Sequence, residues 1–154
     1  MNYQELVKDF AQRTKNNLET LRAIQAERPD IEVFEVTQMV NSLLGLLVFP
    51  QQEYVNKIPA TPIEELAASG WAVPEVDGEF EQVNDLKQLV QYLRNAIAHF
   101  NIKFTEDERG EINGLIVWNY NPRERIINWR AKLTLDDIEK ITDSFIGLIL
   151  NEVY

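Results

Sequence analysis

A run of helix-spaced apolar residues ending at the only histidine of the chain constrains the fold more than any other stretch. Between Glu81 and His99, Leu86, Leu89, Val90, Leu93 and Ile97 recur at steps of three and four, the spacing of one buried helical face. On such a helix Gln88, Tyr92, Asn95 and His99 gather on a second, polar stripe, with His99 roughly opposite Ile97. Arg94 lies well round the cylinder from His99. The two can share a site only through the long arginine stem or across two facing helices, a geometry that favours a dimer.

The rest of the chain supplies partners for that helix. Tyr3, Leu6, Val7, Phe10, Leu18, Leu21 and Ile24 predict a first helix, closed by Arg28-Pro29-Asp30 because proline disfavours helical geometry in the residue before it. A second helix, about Phe34 to Val48, is apolar around most of its girth and is therefore expected to be central. Its small polar face of Gln38, Asn41, Ser42 and Gly45 either lines a cleft beside His99 or packs closely on another helix over Gly45. Pro50, Pro59, Pro62, Gly70, Pro74 and Gly78 punctuate the connection that follows. Within it Thr61-Pro62-Ile63-Glu64 reads as a capping box opening one short helix, with Gly70 as its stop. Glu64 and Glu65 then mark a helix start rather than an acid pair, and Trp71 and Val73 are expected to pin the connection to the core.

After His99 the period changes from helical to alternating. Ile102 and Phe104, then Ile112, Leu115 and Val117, then Ile126, Ile127 and Trp129 form short apolar runs. Glu108-Arg109-Gly110-Glu111 and Asn119-Tyr120-Asn121-Pro122 separate them, which predicts a small antiparallel sheet over about residues 101–132. Arg123, Arg125, Arg130 and Lys132 stand here against one acid, Glu124, with Trp118, Tyr120 and Trp129 nearby. Basic groups beside aromatic faces suit single-stranded RNA; the alternative is that the arginines are solvated and half the aromatics face the core. Thr134 caps a last helix whose Asp136 and Asp137 sit at its positive end. Its stripe of Ile138, Ile141, Phe145, Leu148, Ile149 and Val153 either closes the bundle or forms a dimer surface.

Composition narrows the chemistry. The 154 residues, 45% hydrophobic, make one ordinary domain over 1–154. With no cysteine, thiolate metal sites and cysteine nucleophiles are excluded. The polar amino terminus and the short apolar run Leu43–Phe49 point to a soluble cytoplasmic protein with no membrane contact. A net charge of −10 argues against a generic nucleic-acid coat, so any RNA contact must be local. The chain has no glycine-rich phosphate loop, no nucleophile elbow and no ligand cluster for a metal. A sparse mechanism fits, in which RNA supplies its own 2′-hydroxyl nucleophile. The protein then adds only a base, for which an imidazole titrating near about 6.5 is suited, and a cation for the phosphorane. His99 and Arg94 match those needs, with Asn95 on the His99 stripe as a hydrogen-bonding partner.

Arg94-Asn95-x-x-x-His99 resembles the Arg-polar-x-x-x-His signature of the HEPN superfamily, and Phe34–Pro50 is similar to a prokaryotic HEPN subgroup. The resemblance implies a mainly α, HEPN-like helical bundle with a small antiparallel β-sheet inserted before the last helix. It also implies a metal-independent, cofactor-free endoribonuclease site composed across a homodimer, with Arg94, Asn95 and His99 as its catalytic residues. Many such proteins are toxins or phage-defence effectors with an antitoxin partner. HEPN toxins neutralised by a nucleotidyltransferase often carry a tyrosine two residues after the histidine; here that residue is Asn101, which argues against a tyrosine-modifying antitoxin. A different class remains open, since many HEPN-like domains are non-catalytic dimeric binding modules.

Overall fold

The computed structural model describes residues 3–49 and 55–151. Pro50, Val153 and the side chain of Tyr3 lie outside the described residues. Two long helices come first, α1 (Tyr3–Glu27) and α2 (Glu35–Val48), followed by a one-turn helix α3 (Ile63–Leu66) that runs into a 3₁₀ turn at Ala67–Ser69. After the two-residue strand β1 (Glu75–Val76) come α4 (Leu86–Ala98), then β2 (Ile102–Glu106), β3 (Ile112–Asn121) and β4 (Ile126–Thr134), and finally α5 (Leu135–Asn151). The described residues are mainly helical, with one antiparallel sheet among them, of order β1-β4-β3-β2.

The apolar α2 is central, packing against α1, α4 and α5, while α4 lies on β3 and α5 reaches β3 and β4. Leu86, Leu89, Val90, Leu93 and Ile97 of α4 are all buried, as the spacing predicts, against Leu43, Leu46 and Leu47 of α2 and Ile138, Ile141 and Phe145 of α5 in one core. The stripe on α5 therefore closes the bundle. Its first turn is held by a reciprocal cap in which Asp137 N–H donates to Thr134 Oγ1 at 3.1 Å and Thr134 N–H donates to Asp137 Oδ2 at 2.8 Å. Close packing accounts for Gly45 in the small face of α2, where a Cβ would stand 3.1 Å from Phe10 Cζ of α1; Ser42 is buried beside it and Asn41 is exposed.

Several boundaries depart from the sequence reading. Helix α4 opens at Leu86 rather than near Glu81, because Asp85 accepts from Gln88 N–H at 2.8 Å and takes the cap. The capping box at Thr61–Glu64 does not form: Pro62 precedes the helix without a side-chain cap, and the Thr61 carbonyl instead accepts from Leu86 N–H. Gly70 does stop the segment, in the left-handed region at φ 87°. Trp71 is buried edge-on to Phe145, as expected, whereas Val73 is exposed and lies outside the core. The connection also contributes a strand that two residues of sequence could not announce, Glu75 and Val76 pairing with Lys132 and Ala131. The sheet runs to Thr134, and Asn119, Tyr120 and Asn121 belong to β3; the turn is Pro122 to Arg125. Among the described residues no helix is long and apolar enough to cross a membrane.

Candidate functional site

Three pieces of chain meet beyond the carboxyl end of α4. The helix ends with His99 as its last half-helical residue, and two further hydrogen bonds close it: Phe100 N–H to the Ile97 carbonyl at 3.1 Å and Asn101 N–H to the Ala96 carbonyl at 2.7 Å. This is the paired bond pattern that commonly places glycine in the left-handed position. Here that position holds Phe100, at φ 58° and 85% exposed. The turn swings the chain directly into β2, and Asn101 is held again where its carbonyl accepts from Trp118 N–H of β3 at 3.1 Å. His99 thus sits exposed between a helix and a sheet edge, both rigidly joined.

Beside it is a cleft of about 470 Å³ lined by Asn95, His99, Asn101, Tyr120 and Pro122. Tyr120 arrives there through a β-bulge in the β3–β4 pairing, where Asn119 opposes Trp129 and Tyr120 opposes Ile127, leaving Asn128 unpaired. Asn95 Nδ2 donates to Asn119 Oδ1 at 3.3 Å, and Asn119 Nδ2 donates to Asn128 Oδ1 at 2.7 Å. This amide chain runs through Asn119, only 5% exposed, and ties the last turn of α4 to the sheet. Further up the same stripe, Tyr92 packs on Trp129 at 5.6 Å and accepts from Gln88 Nε2 at 3.3 Å. The polar stripe is therefore mostly a helix-to-sheet seam that opens to solvent at His99.

A family model described as HEPN pEK499 p136 matches residues 1–154. The chain belongs to that HEPN family. No curated protein and no solved structure matches it.

In this HEPN chain, the residues singled out from sequence fall into two groups. His99, Asn95 and Tyr120 share the cleft, and Pro122 carries its wall into the hairpin tip that bears Arg123 and Arg125. That tip is built by Asn121, whose Oδ1 accepts from Arg123 N–H at 3.0 Å and whose Nδ2 donates to Glu124, so the one acid of the tip is engaged within the turn. Arg94 is half-buried and does not line the cleft. Arg130 and Lys132 lie elsewhere, around a hollow shared with Glu75, Val76, Asp77, Gly78, Ile116 and Ala131, and Arg130 pairs with Asp77 at 3.8 Å. They do not form one basic surface with Arg123 and Arg125, because β4 carries them toward the β1 edge. Trp129 is fully buried under Tyr92 and offers no platform to a ligand. Sequence reasoning passed over Asn119 and Asn128 as site residues. The signal for Asn119 is its place two positions beyond Val117, on the inward parity of β3, where a polar residue needs a buried partner. Among the described residues no group of three or more His, Asp or Glu side chains converges as metal ligands would.

Proposed function

We propose that this HEPN chain is a metal-independent endoribonuclease that cleaves RNA by attack of the 2′-hydroxyl on the adjacent phosphorus. The observation that carries the reading is the placement of His99, exposed at the mouth of a cleft large enough for a nucleotide and flanked by Tyr120 and the arginine-bearing hairpin tip. His99 takes the 2′-proton as the new P–O bond forms, and a protonated imidazole returns a proton to the departing 5′-oxygen, leaving a 2′,3′-cyclic phosphate. The phosphorane needs a cation, and Arg94 points away round α4 from the His99 stripe. A twofold pairing of α4 helices supplies it, the partner subunit's Arg94 facing His99. Asn95, fixed by Asn119, acts as a positioning residue. Arg123 and Arg125 hold flanking phosphates, a local positive patch on a chain of net charge −10. Arg130 and Lys132 give at most a remote backbone contact.

The protein in this reading is a cytoplasmic homodimer that acts as a toxin or phage-defence effector held in check by an antitoxin. A second reading, a non-catalytic dimeric binding module, is favoured by the apolar exposure of Phe100, Ile126 and Ile127 at the same end of the molecule. Induced expression in a bacterial host separates the two. Growth arrest by the wild type that His99→Ala relieves supports the nuclease; equal growth of both, at equal protein levels, supports the module.

A further inference from the structure

Of the two amide side chains that line the cleft, only one is committed. Asn95 is tied back through Asn119 to Asn128. Asn101 is the reverse: its backbone is fixed on both sides, by the Ala96 carbonyl at 2.7 Å and Trp118 N–H at 3.1 Å, while its half-buried side-chain amide has no hydrogen-bond partner among the described residues. The amide faces the open cleft and stays available to a ligand, on a backbone that holds its position. The same cleft is lined by the Tyr120 ring, the Pro122 ring and His99. A cleft lined by an aromatic ring, a proline ring and one uncommitted donor–acceptor pair suits a planar heterocycle with hydrogen-bonding edges.

We propose that this cleft receives the base of one unpaired nucleotide next to the phosphate that His99 addresses, with Tyr120 as its stacking platform and Asn101 as the residue that selects it. The amide offers a carbonyl acceptor and two donor hydrogens in one plane. It pairs with a base edge that presents the complement and leaves a mismatched edge desolvated and unpaired, which is where discrimination arises. Stacking on Tyr120 is indifferent to base identity, since every base has a π-face. Tyr120 therefore governs affinity and Asn101 governs choice. The inference rests on the nuclease reading for its position in the reaction, but not for the existence of the pocket.

The test uses the whole protein and 2′-O-methyl trinucleotides, which lack the attacking hydroxyl, differing only in the central base. Binding is followed by NMR on the Asn101 side-chain amide and the His99 imidazole. The expected result is a preference of about tenfold or more for one base, reduced to within about twofold in Asn101→Ala and altered in the isosteric Asn101→Asp, which loses the donors. Tyr120→Leu should weaken all four by about tenfold. Equal binding of the four trinucleotides, no binding, or a preference that survives Asn101→Ala would overturn the proposal. Base-selective binding without any RNA cleavage would sustain the pocket and sink the nuclease. His99-dependent cleavage without base selection would do the opposite.

Discussion

Phe100 offers a test of whether the backbone turn at His99 is held by the fold against its own preference. At φ 58° an L-residue pays about 1–2 kcal/mol relative to the right-handed region, and glycine pays nothing. Glycine in turn loses about 0.5–1 kcal/mol through the freedom of its unfolded chain. Truncating the ring forfeits little: with 85% of the residue exposed, roughly 30 Å² of some 200 Å² is covered, worth under about 1 kcal/mol, and alanine and glycine variants lose it alike. The comparison of Phe100→Gly with Phe100→Ala therefore isolates the backbone. The glycine variant should be the more stable by about 0.5–1 kcal/mol, a melting temperature higher by about 1–4 °C at this chain length. Urea and thermal unfolding by circular dichroism measure both. An alanine variant as stable as the glycine variant, or more so, would mean that the left-handed turn is not imposed at Phe100.

Asn119→Ala removes the middle of the Asn95–Asn119–Asn128 chain and strands an amide on either side, so it should cost about 1–3 kcal/mol in chemical denaturation; a loss below about 0.5 kcal/mol would show the chain to be incidental. Arg22 joins three helices, pairing with Glu35 of α2 at 3.3 Å and with Glu139 and Asp143 of α5 at 2.9 and 3.6 Å while 30% exposed. Arg22→Ala should destabilise by about 1–2 kcal/mol, less at high salt, where an isolated surface pair would give under about 1 kcal/mol. Asp30 receives both Arg28 Nε and Nη2, at 2.9 and 2.7 Å, and this bidentate bond lowers its carboxyl below the ordinary 3.8. The small stabilisation is present above 3.8 and is lost as pH falls through the lower folded value, so NMR titration should find an Asp30 midpoint that Arg28→Ala raises.

Helical spacing carried much of this fold because burial on α4 and α5 is one-sided: every apolar residue named on α4 lies in the core. The seam on the opposite side of α4 was visible as a polar stripe, but its purpose was not. Tyr92 and Asn95 face a sheet in which their partners, Trp129 and Asn119, lie far along the chain, Asn119 being 24 positions beyond Asn95, and no local period reports that encounter. The same distance hid the division of the basic residues. In sequence Arg123, Arg125, Arg130 and Lys132 form one cluster; in the sheet, β4 separates the hairpin tip from the β1 edge by several residues of extended chain. Strand β1 was illegible because its two residues form only by pairing with β4. The cleft itself depended on the bulge at Asn119–Tyr120, a register irregularity created by strand pairing.

The central claim is that His99 acts on RNA without a metal, and cleavage of a mixed RNA pool in excess EDTA tests it most directly. Wild-type protein should cut, leave 2′,3′-cyclic phosphate ends, and lose that activity by at least about a hundredfold in His99→Ala. Cleavage that stops with the chelator, or that His99→Ala retains in full, would contradict the account.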